Sequence, residues 1–453
     1  MRAYLPVVAW VAVVALGCDP SAQVQALRDR AEDLELAPLE AVDDADPALV
    51  RLGQNLFFDP ILSGNRDQAC VTCHAPEHAL GDGRSLAVGT ASVLRDGERT
   101  PGPDHTFTPR NAPPLWDLGQ PESTVLFWDG RLAPGEDGDL VMYETGDDAS
   151  EVVRLYMPSM LESAVSAQAM LPVLDRDEMR GEVTDDVPFG EENELARIVD
   201  RDFEGIWDAL LERLLAIDIY RSDLLEAYPE VAEEDLGFEH AAQAIGVFLG
   251  IAFQVTGTPW DRFLAGEDDA LDAAQVRGAL LFYGEGTCSS CHSGALFSDQ
   301  ELYNLGVRPM TSGPLELENV DLGGAHRTHT RERYTFRTPR LRNVALTGPW
   351  MHNGAYTSLR AVLEHKRDPV GGLMNYDSTQ LEPAFRPQVH RDDLILADVE
   401  ENLSEAVSLD LPLTEEDLRD LEAFLGALTR PNVLGVDALV PDEVPSGLEI
   451  PLP

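Results

Sequence analysis

The sequence predicts a mainly α-helical fold made of two similar units that are connected by long ordered loops. A segment with Leu and Phe at helical spacing occurs twice, at residues 50–57 and 276–282, and each copy precedes the same short cysteine motif. Alternation of apolar and polar residues, which would indicate strands, is scarce. The 453 residues suffice for two or three domains, and a hydrophobic content of 44% excludes wholesale disorder.

The chain is strongly acidic, with 81 Asp and Glu residues against 33 Lys and Arg residues and a formal net charge of −48. Such a surface repels phosphate backbones and anionic lipid, which argues against nucleic-acid binding. A solvated acidic surface is the simpler explanation of this charge. A docking face for a cationic protein is the alternative.

The N-terminus has the features of a secretory leader. Arg2 is followed by an apolar run at residues 7–16, which is too short to span a bilayer. The run ends in Ala-Leu-Gly-Cys, which resembles a bacterial lipobox ending at Cys18. The sequence therefore predicts a signal peptide at 1–17, a linker at 18–46 and a periplasmic location. A lipid on Cys18, the only expected membrane contact, and plain cleavage remain alternatives.

The other four cysteines form two CxxCH motifs. They comprise Cys70, Cys73 and His74 in the first motif, and Cys288, Cys291 and His292 in the second. In this arrangement two thiols bond to the vinyl groups of one haem, and the adjacent His binds its iron as the proximal ligand. A zinc site of four thiolates would not explain the His after each pair, and a thioredoxin-like pair would need a βαβ pattern. The sequence therefore predicts two covalently attached c-type haems in two cytochrome c-like domains.

The domain limits are predicted from the positions of the two motifs. We assign residues 47–195 to the N-terminal domain, residues 196–430 to the C-terminal domain and residues 431–453 to an extended tail. Amphipathic stretches predict further helices near residues 194–215, 238–255, 359–364 and 415–428. Pro- and Gly-rich segments at 101–114 and 308–324 predict ordered loops over the haem edges.

Further motifs resemble the bacterial dihaem cytochrome c peroxidases and the related MauG-type enzymes. They are LFFDP with LSG at 56–64, RNAP at 110–113, FWDGR at 127–131, the spaced residues of 168–179 and the stretch from TP to HNG at 338–354. The resemblance runs from about residue 48 to 430 in the order of the family. It implies that the first haem reacts with hydrogen peroxide and that the second transfers electrons.

The resemblance also implies roles for single residues near the first haem. Glu178 would act as the acid/base group above the iron that His74 binds. Gln168 would form hydrogen bonds in the same pocket, and Pro172 would shape it. Trp128 would relay electrons between the haems. The alternatives are a surface Glu on a helix and a tryptophan of the core.

In the second half, the resemblance makes His292 the proximal ligand of the electron-transfer haem. Asn111, Thr347 and Pro349 match an inter-haem calcium site, where carbonyl oxygens and waters hold a hard cation. Ordinary loop capping would also explain Asn111 and Thr347.

The sixth ligands depart from the family pattern. Where the family places Met or Tyr, this chain has Lys366, which would have to bind iron as the neutral amine. His365 and Met351 compete with it, an exposed helix lysine is an equal explanation, and the haem could lack this ligand. For the first haem, His105 is either a resting-state ligand or a solvated loop histidine. Residues 133–163 look like an insertion that forms a lid or a partner surface.

We therefore expect a dihaem peroxidase that reduces hydrogen peroxide to water with electrons from a small redox protein. The acidic chain favours a basic donor, such as a cytochrome c or a cupredoxin. A MauG-like enzyme that oxidises side chains of a partner protein is the first alternative. A plain electron-transfer cytochrome is the second, although Glu178 and Gln168 argue against it. The resemblance leaves room for a homodimer.

Overall fold

The computed structural model describes residues 19–95, 98–145, 152–187, 192–313, 319–325, 333–407, 411–431 and 433–452. The predicted leader and Cys18 lie outside these residues. Helix accounts for 41% and strand for 8% of the structure, which confirms the mainly α-helical class. No helix in the described ranges combines the length and the apolarity that crossing a bilayer requires.

The structure consists of short and medium helices connected by long loops. The helices in chain order are α1 Pro20–Asp33, α2 Pro47–Phe58, α3 Cys70–Cys73, α4 Ala164–Gln168, α5 Phe203–Leu215, α6 Asp218–Ala227, α7 Phe238–Ala252, α8 Pro259–Leu264, α9 Ala273–Phe282, α10 Leu359–Arg367, α11 Pro369–Met374, α12 Asp393–Glu401 and α13 Glu415–Gly426. The strands are β1 Val93–Arg95, β2 Glu98–Thr100, β3 Leu132–Pro134, β4 Leu140–Thr145, β5 Val152–Tyr156, β6 Leu302–Tyr303 and β7 Phe336–Arg337. Both helices that were predicted ahead of the cysteine motifs, α2 and α9, are present.

The first hydrophobic cluster forms where α2 crosses α7. Leu52, Phe57 and Phe58 of α2 are fully buried there, and Phe57 packs against Phe248 with ring centroids 5.7 Å apart. Gly53 allows the two helices to approach closely, since a Cβ on it would lie 2.0 Å from the carbonyl oxygen of Ala244. The helix that precedes the first motif is thereby held in a fixed position.

The second hydrophobic cluster repeats this arrangement with α9 and α13. A Cβ on Gly278 would lie 1.9 Å from the carbonyl oxygen of Asp420, so here too a glycine permits close contact. Arg277 binds the Asp420 carboxylate at 2.6 Å beside this contact. Phe282 and Phe424 complete the core with ring centroids 5.2 Å apart. The repeat seen in the sequence is therefore also a repeat of helix packing.

The first hydrophobic cluster crosses the predicted domain limit at residues 195 and 196. Buried residues of α5, α6 and α7 belong to the first cluster, which continues past residue 196 as far as Val255, and most of the second cluster follows from Trp260 onwards. The physical reason is that the apolar face of α2 needs α7 as its cover. Periodicity alone does not tell which of two cores a helix completes.

The predicted linker at 18–46 is wrong for its described part. Asp19 caps α1 by accepting the Ser21 N–H at 3.0 Å, and Leu27 is fully buried in the second cluster. Arg28 lies over the Phe263 ring, 3.8 Å from its centroid. Residues 20–33 are thus part of the folded body and cannot act as a spacer.

The C-terminal segment, predicted as an extended tail, is packed against the first cluster. Val436 and Val444 are buried there. The Ser446 hydroxyl donates to Asp59 Oδ1 at 2.6 Å, and the Gln54 amide donates to the Leu439 carbonyl at 2.7 Å. The chain therefore returns to its N-terminal half after completing the second cluster.

The insertion at residues 133–163 contains an antiparallel sheet in the order β3-β4-β5. Leu132 and Met142 face each other in its register and are buried against the first cluster. Val153 and Tyr156 of β5 are exposed. The scarcity of strands expected from the sequence does not hold in this segment, and its role as a lid stays a prediction.

The close contact of α9 with α13 predicts a strong effect of a single methyl group. We expect G278A to destabilise the protein by about 2 kcal/mol or more, because the added Cβ must push the helices apart. Thermal unfolding of the haem-loaded protein, followed by circular dichroism, measures this.

The matched control is G426A in α13, where a Cβ would meet nothing within 4 Å. It should leave the melting temperature unchanged or raise it slightly. Equal melting temperatures for the wild type and G278A would contradict this account of the packing.

Candidate haem sites and catalytic pocket

The second CxxCH motif opens into a cavity with mostly apolar walls, which include Phe282, Leu363 and Leu425. The His292 Nδ1 lies 2.9 Å from the Phe297 carbonyl oxygen, which leaves Nε2 to bind a metal. Burial lowers the pKa of His292 to about 4, so that the imidazole is neutral, as metal binding requires. Apolar walls and a neutral imidazole fit a haem.

Two arginines of this cavity form no direct ion pair with a carboxylate of the described residues. Burial lowers the pKa of Arg337 to about 9 and that of Arg340 to about 10. The buried Nε of Arg340 has no hydrogen-bond partner among the described residues. Both side chains line the cavity, where the two propionate carboxylates of a haem would provide acceptors.

The first motif has the same internal geometry. The His74 Nδ1 lies 3.1 Å from the Leu80 carbonyl oxygen, and burial lowers the pKa of His74 to about 4. Burial raises the pKa of Cys70 and Cys73 to about 12, which keeps both thiols from ionising before they are bonded. Arg84, on the loop after the motif, has buried Nε and Nη2 atoms without partners in the described part of the chain. The residues present therefore fit a haem here as well.

Glu178 lies on the π-helical turn Arg176–Arg180, a type of turn that is frequent at functional sites. Burial raises the pKa of Glu178 to about 7, with a further contribution from Asp175 and an opposing one from Arg131. The negative charge of Glu178 in turn raises the pKa of Cys70 and Cys73. This electrostatic effect indicates that the carboxyl group lies near the first motif, and its role as the acid/base group stays a prediction.

Gln168 and Pro172 lie on the segment that leads into this turn. Gln168 ends α4, and Pro172 begins the 3-10 turn Pro172–Leu174, which connects directly to the π-helical turn. Trp207 of α5 fastens the segment by donating its Nε1 proton to the Met170 carbonyl oxygen at 2.9 Å. The structure thus places Gln168, Pro172 and Glu178 on one continuous element, and the roles of the first two stay predictions.

Trp128 lies in the wall of the second cavity and is buried. Its Nε1 donates to the Asn111 carbonyl oxygen at 2.9 Å. Asn111 donates its side-chain amide to the Arg84 carbonyl oxygen at 2.6 Å and its backbone N–H to that of His352 at 2.8 Å. Through Asn111, the wall of the second cavity is bonded directly to the loop of the first site.

A buried ion network beside Trp128 was not predicted from the sequence. The Arg110 guanidinium binds Asp129 Oδ2 at 2.7 Å and Asp321 Oδ2 at 2.7 Å. Arg110 and Asp129 come from the two motifs RNAP and FWDGR, so the opposite charges within those motifs were an available signal. The network joins three loops at the boundary of the two haem sites.

Lys366 lines the second cavity together with His292, and burial lowers its pKa. No carboxylate of the described residues forms an ion pair with it. The alternative of an exposed helix lysine is therefore wrong. The sequence also contained a signal for this position, because Lys366 is the only lysine of the chain. All the others of the 33 Lys and Arg residues are arginines.

Of the two competitors of Lys366, the structure excludes His365. Its Nδ1 lies 2.9 Å from the Tyr356 hydroxyl, and its Nε2 lies 2.9 Å from the Leu305 carbonyl oxygen, so neither nitrogen is free. Met351 lines the cavity and stays a candidate.

Neither expectation for His105 is correct. Its side chain is 1% exposed, which rules out a solvated loop histidine. Its Nδ1 lies 3.2 Å from Asp177 Oδ1 and its Nε2 lies 2.9 Å from Asp185 Oδ1, so no nitrogen is free for iron. The hydrogen bond with Asp177 and then that with Asp185 raise the pKa of His105 to about 9, against the effect of burial.

The predicted calcium residues Asn111, Thr347 and Pro349 all line the second cavity. Within the described ranges, no group of three or more His, Cys, Asp or Glu side chains is arranged to hold a metal ion. Any cation there would depend on carbonyl, hydroxyl and water oxygens, and calcium stays a prediction.

The mainly helical fold and two CxxCH sites with neutral imidazoles define a dihaem protein of the cytochrome c type. Residues 47–269 match the family described as di-haem cytochrome c peroxidase, a range that contains the first motif and ends before the second. The methylamine utilization protein MauG of Methylorubrum extorquens is 29% identical over 387 residues, 81% of this chain and 86% of that protein. The cytochrome-c peroxidase IdrP1 of Pseudomonas sp. (strain SCT) is 28% identical over 410 residues, 84% of this chain and 88% of that protein.

Solved structures share the fold. A MauG-like protein associated with microbial copper homeostasis matches with a TM-score of 0.57 at 22% identity, over 90% of this chain and 96% of that chain. The diheme peroxidase BthA from Burkholderia thailandensis matches with a TM-score of 0.55 at 20% identity, over 91% of this chain and 94% of that chain. Over residues 47–269 the chain is similar to the di-haem cytochrome c peroxidase family, and its two CxxCH motifs have the arrangement that attaches two c-type haems.

The ion contacts of His105 predict a specific dependence of stability on pH. Because its folded pKa is raised, the stabilisation is complete below the ordinary pKa of 6.5 and is lost as the pH rises through about 9. The melting temperature of H105Q should therefore fall furthest below the wild type at pH 6, and the gap should narrow by pH 10. In free energy of unfolding, the difference between H105Q and the wild type should be at most about 3 kcal/mol.

H78Q is the control, because His78 lies on the loop after the first motif with its side chain 41% exposed and contacts neither Asp177 nor Asp185. A gap for H105Q that is constant across this pH range would show that His105 is not charged in the folded protein.

Proposed function

We propose that this chain is a periplasmic dihaem peroxidase that reduces hydrogen peroxide to water at the first haem, with Glu178 as the acid/base group. The observation that carries the proposal is a half-buried carboxyl group with a pKa of about 7 near the first CxxCH motif. A general base works best when its pKa lies near the working pH. An electron carrier needs no such group.

The chemistry can be followed through the side chains. The haem, when bound at the first motif, supplies a redox centre that binds peroxide and helps to break its O–O bond. Ionised Glu178 would take the proton from one peroxide oxygen and return it to the other oxygen, which departs as water. Two electrons and two further protons complete the conversion of H2O2 to two water molecules. Arg131 and Asp175 adjust the proton affinity of Glu178 during this step.

Trp128 is proposed to carry the electrons from the C-terminal unit to the first site. Its indole lines the second cavity, and its hydrogen bond to Asn111 leads to the Arg84 loop of the first site. The donor is proposed to be a small basic redox protein, because the net charge of −48 attracts cations from a distance. Such an encounter is fastest at low ionic strength.

We expect E178Q to lower peroxide turnover by about 10²- to 10⁴-fold, because the amide cannot accept the proton. Both haems should remain attached, as their absorbance per protein shows. In the wild type, the rate of reaction with H2O2 should rise with pH through a midpoint near 7 as Glu178 ionises. Stopped-flow kinetics between pH 5.5 and 8.5 measure both effects.

E192Q is the matched control, since Glu192 is a surface residue with a side chain that is 77% exposed. It should keep the wild-type rate and the same pH midpoint. Unchanged turnover in E178Q would remove this mechanism.

Lys366 is proposed as the sixth ligand of the second haem. It is the only lysine of the chain, it lines the cavity that contains His292, and burial favours its neutral amine. Its neighbour Arg367 instead binds Glu415 at the surface at 2.8 Å. Arg367 thus forms an ion pair at the surface, whereas Lys366 lies in the wall of the cavity.

K366A should convert one of the two haems from a six-coordinate to a five-coordinate ferric spectrum and change its reduction potential. R367Q is the control and should leave spectrum and potential unchanged. Optical spectra and spectroelectrochemical titration of the purified protein measure this without turnover. An unchanged spectrum in K366A together with an altered one in M351A would assign the ligand to Met351.

The MauG-like alternative is favoured by one observation. His105 is held by two carboxylates, so the structure offers no histidine from this loop that would have to leave before peroxide binds. A spectral change of the fully ferric protein on mixing with one equivalent of H2O2 would support the alternative. A reaction that begins only after half-reduction would favour the peroxidase that needs activation.

Three finer proposals complete the assignment. A calcium ion between the haems is supported only by the shared position of Asn111, Thr347 and Pro349 along the cavity. A lipid on Cys18 depends on the sequence Ala-Leu-Gly-Cys. A homodimer depends on the family resemblance alone.

A further inference from the structure

We propose that His105, as an imidazolium held between Asp177 and Asp185, is the positioning residue that fixes the turn carrying Glu178. The proposal rests on the proposed function of Glu178, and it extends that function to a residue of a different loop. Asp177 directly precedes Glu178 in the turn Arg176–Arg180, so a constraint on the Asp177 carboxylate is a constraint on this turn.

Among the described residues, the hydrogen bonds of the Asp177 carboxylate all come from the loop at 105 and 106. Its Oδ1 accepts the Thr106 N–H at 3.1 Å and lies 3.2 Å from His105 Nδ1, and its Oδ2 accepts the Thr106 hydroxyl at 2.8 Å. The backbone of the turn is fastened separately, because the Thr90 N–H donates to the Glu178 carbonyl oxygen at 3.0 Å. Side chain and backbone are thus anchored on two different segments.

Asp185 anchors the other end of the imidazole. Its Oδ1 lies 2.9 Å from His105 Nε2, and its Oδ2 accepts the Glu182 N–H at 2.7 Å and the Asn65 amide at 2.8 Å. The Asp185 side chain is only 3% exposed. Asn65 lies between α2 and the first motif, so the chain of contacts connects the Glu178 turn to the element that carries the haem-binding cysteines.

Only the charged imidazole can serve both carboxylates. A neutral imidazole has one N–H and one lone pair, so one of its nitrogens would face a carboxylate oxygen without a proton between them. The protonated ring has two donors, one for each Asp. Its single positive charge also offsets the two negative charges, one of which is next to Glu178 in sequence.

This arrangement makes His105 a positioning residue and leaves the chemistry to Glu178. Both its ring nitrogens are occupied, so it is not available to peroxide. A general base must lie within hydrogen-bond reach of the proton that it abstracts, and small displacements of such a group lower the rate strongly. Without the contact to His105, the Asp177 carboxylate would keep, among the described residues, only its hydrogen bonds from Thr106. The turn would then move more freely.

The experiment compares H105F, H105Q and D185N with the wild type as haem-loaded proteins. H105F removes both contacts, H105Q keeps an uncharged donor, and D185N keeps the shape of the partner but removes its charge. H78Q is the control histidine, for the reason given above. Amide hydrogen exchange of residues 176–181 reports on the turn itself, and stopped-flow reaction with H2O2 between pH 5.5 and 8.5 reports on Glu178.

In H105F, exchange at 176–181 should be at least about ten-fold faster than in the wild type, because local opening of the turn costs less free energy. Its reaction with H2O2 should slow by about ten-fold or more, as expected for a displaced base. The pH midpoint should also rise, since the charge of Asp177 would be less compensated. H105Q and D185N should lie between H105F and the wild type, and H78Q should match the wild type.

The outcomes separate the two proposals. Faster exchange with an unchanged rate and pH midpoint would overturn the positioning role, and so would unchanged exchange in all three variants. Full activity of E178Q would overturn the function of Glu178 instead, whatever the exchange shows. If H105F fails to fold, D185N and H105Q decide, because both retain a side chain of similar size at the site.

Discussion

Removal from water sets the protonation state of the two motif histidines, Glu178 and Lys366. Burial keeps His74 and His292 neutral, so that each can bind iron, and it raises the pKa of Glu178 into the neutral range. The same effect lowers the pKa of Lys366 and so favours the amine over the ammonium ion. A single physical cause thus supplies the neutral metal ligands and the tuned base, and the cavities that bury these groups are what the helices around them maintain.

The helices keep those cavities in place by the same device in both halves. In each half the helix ahead of the cysteine motif contacts a partner through a glycine, at Gly53 and at Gly278. Each cluster also includes residues from the opposite part of the chain. Helix α1 packs on the second cluster, and the C-terminal segment packs on the first. Neither half is therefore completed by a continuous stretch of sequence.

The boundary between the sites is built from charge and hydrogen bonds. Arg110 holds Asp129 and Asp321 in a buried network, and such a network fixes a geometry because breaking one pair would leave an uncompensated charge. Trp128 and Asn111 are bonded beside it. At the first site, His105 plays the corresponding part with Asp177 and Asp185. In both places, charged groups that take no part in the proposed chemistry hold the residue that does, which is Trp128 in one case and Glu178 in the other.

The sequence alone determined the helical class, the two haem-attachment motifs and the similarity to the dihaem peroxidases, and it predicted sites for Glu178 and Trp128. These depend on local spacing, which a chain displays without being folded. It did not reveal the role of His105, the exclusion of His365, the docked termini or the core to which α7 belongs. Each of these is decided by which groups meet across long stretches of chain: His105 meets Asp177 and Asp185, and His365 meets Tyr356 and the Leu305 carbonyl. A histidine shows in the sequence that it can bind metal, and only the folded structure shows whether its nitrogens are already taken.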